Sequence, residues 1–143
     1  MNVMDISGSA MSAQTVRLNT TASNMANAET VSSSIDQTYR ARHPVFSVWQ
    51  PPETAIPVFD DDVVSQGAAG VQVLGIVESG APLPLRYEPN HPQANEQGYV
   101  TYPNVNVVEE MANMISASRS YQMNVQIANT TKTLIQRTLN LGQ

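Results

Sequence analysis

The chain has 143 residues, enough for one ordinary domain or for two small units that share a chain. Seven basic residues against twelve acidic residues give a net charge of −5, and the basic residues are scattered, which excludes nucleic-acid binding through a clustered basic face. Because the chain contains no cysteine, disulfides, thiol catalysis and thiolate metal sites are excluded as well.

The N-terminal segment has the spacing of an amphipathic helix that runs from about Val3 to Ala28. No proline occurs before Pro44, and such a helix would be roughly 40 Å long. Apolar side chains recur every seven residues, a pattern that is typical of a helix packed lengthwise against another helix. These predicted interface residues are Met4, Met11, Leu18 and Met25.

The middle of the chain has a different composition, because all nine prolines lie between Pro44 and Pro103. Alternating or β-branched runs, bounded by Pro, Gly, Asn and Asp, predict short strands at 45–49, 71–77, 83–87 and 99–102. Prolines on both sides of Leu83 predict that its strand lies at a sheet edge. Residues 50–70 hold three prolines and three consecutive aspartates, which predict a long loop.

Helical spacing returns near residue 107 and continues almost to the end of the chain, with apolar or aromatic side chains at alternating steps of four and three. Asn106 followed by Glu109 resembles a capping box, and Gly142 is a suitable C-terminal stop. The side chains that we expect to face the N-terminal helix and complete the assembly interface are Met111, Met114, Tyr121, Val125, Ile135 and Leu139.

These elements predict an α+β fold, in which long N- and C-terminal helices pair as a coiled-coil core and a small β-rich unit is inserted between them. We expect residues 1–32 to form the N-terminal part of a discontinuous helical domain and residues 104–143 to form its C-terminal part. Residues 33–103 would form the linker and the β-rich unit, with a long proline-rich, acidic loop near 50–70.

Both predicted helices are poor in charge. Three charged residues lie between Val3 and Glu29 and five between Asn106 and Leu141, against eleven and fifteen Ser, Thr, Asn or Gln residues in the same segments. Uncharged polar faces suit helices that are surrounded by copies of themselves, because amides can pair across an interface and no charge has to be desolvated. A milder interpretation is that Asn24 and Asn27 simply end the first helix near Thr30.

Three stretches of the chain resemble the axial proteins of the bacterial flagellum. "LNTTASNMANAET" at 18–30 contains the signature shared by the wider family, and residues 102–142 resemble the C-terminal helix of that family. Residues 90–111, "NHPQANEQGYVTYPNVNVVEEM", resemble the rod proteins in particular. The loop from Trp49 to Gly67 departs from this likeness. The signature residues of the first stretch are Asn24, Ala26, Asn27 and Thr30.

The resemblance implies a structural subunit of the flagellar basal body, in the proximal part of its rod. Such proteins stack helically into a hollow periplasmic tube that transmits torque from the motor to the hook. The implied partners are copies of the chain, other rod proteins, the junction with the membrane ring and the type III export apparatus. Export would proceed without a cleaved signal peptide, and the N-terminus lacks the basic start and apolar run of such a signal.

The sequence carries no pattern that predicts a catalytic, cofactor or metal site. No serine lies in a G-x-S-x-G turn, and the seven glycines are dispersed rather than gathered in a phosphate-binding loop. His43 and His91 each precede a proline, and residues 60–62 lack the spacing of a calcium loop. We therefore expect neither an enzyme nor a small-molecule substrate, and the alternative function is a soluble coiled-coil adaptor or secretion chaperone.

Overall fold

The computed structural model describes residues 3–49 and 70–143. The chain begins and ends with a long helix, and the strands of two small antiparallel sheets lie between these helices in sequence. The predicted α+β class is therefore confirmed. All four predicted strands are present, with β1 starting at Arg42 rather than Val45 and β3 at Leu85 rather than Leu83. The elements are α1 (Val3–Ala26), a short 3-10 helix (Ile35–Gln37), β1 (Arg42–Trp49), β2 (Gly70–Glu78), β3 (Leu85–Tyr87), β4 (Tyr99–Thr101) and α2 (Val107–Leu141). The predicted loop lies outside the described residues, apart from Gly70.

The two helices differ in length. Helix α1 has 24 residues and α2 has 35, which correspond to roughly 36 Å and 52 Å. The Asn106 side chain caps α2 by accepting hydrogen bonds from the amides of Val108 and Glu109 at 3.1 and 3.3 Å, as its sequence predicts. The amide of Gly142 donates to the Thr138 and Leu139 carbonyls, which ends the helix.

Helices α1 and α2 pack side by side and run antiparallel. The guanidinium of Arg17 donates to Asn113 Oδ1 at 3.1 Å in the middle of the pair. The end of α1 and the start of α2 meet the same short segment, because Asn24 bonds the backbone of Arg42 and Asn104 bonds the amide of Ala41. Residue numbers therefore rise along one helix as they fall along the other.

The β1–β2 sheet lies along α1, which also contacts α2. Pairing runs from Arg42 opposite Glu78 to Trp49 opposite Gly70, with a bulge where the register shifts after Val45. The far end of the sheet is attached to the start of α1, since the amide of Val71 donates to the Ser9 hydroxyl at 3.1 Å. Helix α1 is thus the central element, between a partner helix and a two-stranded sheet.

The β3–β4 sheet is a separate short ribbon close to the start of α2. The backbone of Ser32 extends it by pairing with Thr101 through two hydrogen bonds, of 3.2 and 3.0 Å. Val100, the central residue of β4, is fully buried. Gly98 has a φ of 84°, and a Cβ at this position would come within 2.9 Å of the Tyr87 ring, so the turn requires glycine.

The described residues bury very little apolar side chain. Their buried hydrophobic residues are Ala13, Ala41, Val100 and Ala117. Large apolar side chains are instead exposed along both helices and on both sheets. Within residues 3–49 and 70–143, no helix is long and apolar enough to cross a membrane.

Candidate assembly interface

The residues that the two helices bury are mostly small or polar. The residues buried along α1 are Ser7, Ala13, Thr20, Thr21 and Asn24, and those along α2 are Glu110 and Ala117. Side chains of this size allow two helix backbones to approach closely, because little volume separates them. The pairing of α1 with α2 therefore depends on close fit and hydrogen bonds more than on buried apolar area.

Ala13 and Ala117 are the buried alanines of the two helices. Arg17 and Asn113 are bonded across the pair, so in an antiparallel register four residues before Arg17 correspond to four residues after Asn113. This places Ala13 opposite Ala117, and both are buried. Alanine at both positions leaves no room for a larger side chain, because protein interiors are close-packed.

Asn24 joins the end of α1 to the linker and the start of β1. Its Oδ1 accepts hydrogen bonds from the amide of Arg42 at 2.9 Å and from the Tyr39 hydroxyl at 2.8 Å. Its Nδ2 donates to the carbonyl of Arg42 at 2.8 Å, and the residue is 0% exposed. The amide thus pairs with Arg42 as a neighbouring strand would, and it satisfies both backbone groups in a buried place.

Asn104 performs the same task from the α2 side. Its Oδ1 accepts from the amide of Ala41 at 2.8 Å, and its Nδ2 donates to the Ala81 carbonyl at 3.0 Å. The guanidinium of Arg40 donates to the carbonyls of Ser79 and Ala81 at 3.2 Å each. We name this group the linker junction; it comprises Asn24, Tyr39, Arg40, Ala41, Arg42 and Asn104.

The other signature residues act locally. Asn27 donates from Nδ2 to the carbonyl of Ser23 at 2.8 Å, and the Thr30 hydroxyl donates to the carbonyl of Asn27 at 2.8 Å. Ala26, the last residue of α1, is exposed. Of the four signature residues, Asn24 is the one whose side chain hydrogen-bonds another element among the described residues, so the signature combines one tertiary hydrogen-bond site with a local helix end.

The predicted interface residues are not fully buried within one chain. Met11, Leu18, Met25, Met114 and Val125 are half-buried. The remaining predicted residues are exposed, namely Met4, Met111, Tyr121, Ile135 and Leu139. Their apolar surface is thus only partly covered by this chain.

Glu110 is a buried charged residue in the first turn of α2. It is 3% exposed, and its carboxylate makes no hydrogen bond or ion pair with any other described residue. The described residues contain one ion pair, which joins Arg42 to Glu78 at 3.4 Å on the surface. Exposed pairs of this kind are worth about 0–1 kcal/mol, so ion pairing contributes little to the fold.

Sequence patterns did not reveal several residues of the linker junction. Asn104 lies within the stretch 90–111 that resembles rod proteins, where no pattern distinguishes it, and Tyr39, Arg40 and Ala41 belong to no motif. A side chain that bonds backbone groups more than 60 residues away, as Asn104 does with Ala41, leaves no periodic signal. The useful signal is an asparagine directly after a proline at the boundary between a strand and a helix.

The described residues offer no arrangement suited to metal chemistry. Among residues 3–49 and 70–143, no three His, Asp or Glu side chains lie close enough to hold an ion. His43 is part of β1, whereas His91 Nδ1 accepts a hydrogen bond from the amide of Gln93 in a turn. The conspicuous surfaces are instead the exposed apolar faces of the helices and sheets.

Two family models match the ends of the chain. Residues 4–31 match the family described as "Flagella basal body rod protein", and residues 96–141 match the one described as "Flagellar basal body rod FlgEFG protein C-terminal". The matched segments contain α1 and α2 almost completely. The similarity thus includes both helices that form the contact described above.

Relatives match the chain over nearly its whole length. The flagellar basal-body rod protein FlgC of Salmonella typhimurium is 47% identical over 143 residues, which cover 100% of this chain and 98% of the relative. The protein of the same name from Escherichia coli O6:H1 is 48% identical with the same coverage. That from Borreliella burgdorferi is 33% identical over 98% of this chain and 95% of the relative.

Proposed function

The chain belongs to the family of flagellar basal-body rod proteins named FlgC, and from that premise we propose that it builds the proximal part of a hollow helical tube across the periplasm. It is a structural subunit of the basal-body rod and assembles with other basal-body components. The family's structural role implies that the chain is not an enzyme. The adaptor or chaperone alternative is not favoured.

The observation that carries this proposal is the shortage of apolar core. In the described residues the buried hydrophobic side chains are three alanines and Val100, whereas 24 large apolar side chains are exposed. Apolar area removed from water is worth about 25 cal/mol per Å², so an assembly that covers these side chains gains far more than the single chain does. Exposed apolar surface on this scale marks an interaction surface.

The proposed mechanism is mechanical. Each subunit would transmit torque from the membrane ring towards the hook through many weak, uncharged contacts with copies of itself and with other rod proteins. Repetition of weak contacts around a closed tube makes their combined strength large, because breaking one does not release the others. The proposed route to the rod is the type III export apparatus, without a cleaved signal peptide.

We expect the purified chain to be loosely ordered at its ends. Hydrogen exchange at micromolar concentration should show fast exchange over the outer parts of α1 and α2, because few apolar contacts hold these segments. Exchange should be slower near Val100 and at the amides of Ala41 and Arg42, which Asn104 and Asn24 bond. Strong protection of both helices along their full length in a monomer would contradict the proposal.

The same experiment tests the proposed division of the chain. If residues 1–32 and 104–143 form one discontinuous helical domain, their amides should lose protection together as denaturant is added. Residues 33–103 should then open as a separate unit. A single common opening of all described segments would instead show one cooperative domain.

We also propose that neighbouring subunits cover the stripe of Met4, Met11, Leu18 and Met25. Leu18→Asp should lower the amount of chain in purified basal bodies, because a carboxylate on a surface that becomes covered has to be desolvated. Ser12→Asp is the matched control, since Ser12 is exposed on α1 and lies outside the stripe. Incorporation is measured by immunoblot of purified basal bodies. Equal incorporation of both variants would show that the stripe is not part of the interface between subunits.

A further inference from the structure

The β1–β2 sheet lies along α1 without fully burying a large side chain. Gly70 is the buried residue of the sheet, and the other residues of β1 and β2 are half-buried or exposed. Apolar burial therefore holds the sheet on the helix less firmly than it would hold a packed core. Hydrogen bonds between the two elements gain importance for the same reason.

Hydrogen bonds join α1 to both ends of this sheet. At one end the Asn24 side chain accepts from the amide of Arg42 and donates to its carbonyl. At the other end the Ser9 hydroxyl accepts from the amide of Val71 at 3.1 Å and donates to the carbonyl of Ile6 at 2.8 Å. We name the attachment of the sheet to Ser9 the Ser9 clasp.

The two attachments are far apart on both elements. Ser9 and Asn24 are 15 residues apart, which is roughly 22 Å along α1. Val71 pairs with Val48, six residues after Arg42 on β1, which is roughly 20 Å along the sheet. Because these lengths agree, the sheet lies lengthwise on the helix and is attached near each of its ends.

Glycine at residue 70 allows the sheet to approach Ser9 closely. A Cβ at this position would lie 2.7 Å from Ser9 Oγ and 3.4 Å from Ser9 Cβ, and real Cβ atoms do not come as close as 2.7 Å. The clash would be with the same hydroxyl that the Val71 amide bonds. A side chain at Gly70 would therefore displace this hydroxyl and break the hydrogen bond.

We infer that Ser9 and Gly70 position the β1–β2 sheet, by holding it at a fixed angle on α1. Attachment at Arg42 alone would leave the sheet free to swing about that point. A second attachment about 20 Å away removes this freedom, because both ends of the sheet are then fixed to one rigid helix. Ser9 thus acts through the sheet rather than through a contact of its own with a partner.

The angle of the sheet decides where its apolar surface lies. Leu74, Ile76 and Val77 are 65%, 54% and 51% exposed, so the sheet presents a continuous apolar stretch of β2. The inference rests on the proposed assembly in one respect, since the position of this surface matters only where neighbouring subunits cover it. The clasp itself is a contact within one chain.

Ser9→Ala should lower incorporation into basal bodies about two- to tenfold, the effect of losing one ordinary hydrogen bond. Ser12→Ala is the matched control, because Ser12 is exposed on the same helix and both changes raise helix propensity equally. A loss confined to Ser9→Ala therefore does not come from a weaker α1. Equal incorporation of the two variants, measured by immunoblot, would overturn the inference.

Gly70→Ala should lower incorporation at least as much as Ser9→Ala, because its methyl group displaces the Ser9 hydroxyl. Combining the two changes should cause no further loss, since they break the same hydrogen bond and Ser9→Ala removes the atom that clashes. Gly75→Ala is the matched control in β2, where an added Cβ meets nothing within 4 Å. Losses that multiply in the double variant would mean that the two residues act independently, which contradicts the clasp.

A disulfide can replace the clasp, because the chain has no cysteine of its own. In Ser9→Cys combined with Gly70→Cys the Cβ atoms would be 3.4 Å apart, at the short end of the range that a disulfide bridges. We expect a disulfide within one chain, seen as a mobility change on non-reducing gels, and incorporation close to that of the unmodified chain. Each single-cysteine variant should be incorporated less well, because neither can form the bridge.

The outcomes separate the clasp from the proposed function. If oxidation of the purified full-length double variant gives no disulfide, the contact itself is wrong. If the bridged variant is incorporated no better than the single variants, a fixed sheet is not what assembly requires, and the inference fails while the rod function stands. If the unmodified chain is absent from basal bodies, the proposed function fails, whereas the disulfide still reports on the clasp.

Discussion

Asn24→Ala should nearly abolish incorporation of the chain into basal bodies. The change removes the acceptor for the Arg42 amide and the Tyr39 hydroxyl, and also the donor to the Arg42 carbonyl. Leaving a buried polar group unsatisfied costs about 1–3 kcal/mol, and two backbone groups of Arg42 lose their side-chain partner at once. Because the chain has so little apolar core, losing several kcal/mol of its free energy of unfolding should leave it unfolded.

The measurements are the quantity of chain in purified basal bodies, the diameter of swimming halos and the exchange rate of the Arg42 amide in the purified chain. Asn27→Ala is the matched control, because the Asn27 side chain bonds, among the described residues, only the Ser23 carbonyl of α1. We expect Asn27→Ala to lower incorporation much less than Asn24→Ala does. Similar effects of the two changes would mean that Asn24 acts as a helix end and not as a tertiary contact.

Ala117→Leu should separate the helix pair and prevent assembly. Ala117 is 0% exposed, and the helix register places it opposite Ala13. Adding three carbon atoms to a close-packed contact costs about 1–3 kcal/mol and forces the backbones apart. The displacement also moves the surfaces that neighbouring subunits contact, so incorporation should fall further than the monomer's stability alone indicates.

Ala112→Leu provides the comparison, since Ala112 is exposed on the same helix and the helix propensities of the two variants are matched. The readouts are basal-body content and the exchange rates of amides on both sides of residue 117. If Ala117→Leu is incorporated as well as Ala112→Leu, the helices do not approach as closely as the buried alanines indicate.

Much of the architecture could be predicted because it depends on local rules. The long helices follow from uninterrupted helical spacing, and the start of α2 follows from the capping side chain of Asn106. The strands follow from β-branched runs bounded by turn residues. The tertiary bonds of Asn104 with Ala41 and Ala81 could not be predicted in this way, since they join segments that are distant in sequence.

The choice of helix face illustrates the limit of sequence patterns. The heptad of Met4, Met11, Leu18 and Met25 selects the most apolar stripe of α1, whereas the residues buried against other elements include Ser7 and Thr21. A periodic pattern of apolar residues reflects burial within the chain and burial between chains alike. The pattern does not show which residues are buried in which way. In a subunit of an assembly, the largest apolar side chains can serve contacts that a single copy does not make.

The sequence by itself determined the element types, their order, the poverty of charge on both helices and the likeness to rod proteins, because these depend on composition and on local periodicity. The tertiary structure alone decided which face of α1 meets α2, which backbone groups Asn24 and Asn104 satisfy, and that α2 extends past its partner. These features depend on the rotation and offset of one element against another. Small side chains and hydrogen bonds set this rotation and this offset. Neither the small side chains nor the hydrogen bonds follow a repeating pattern along the chain.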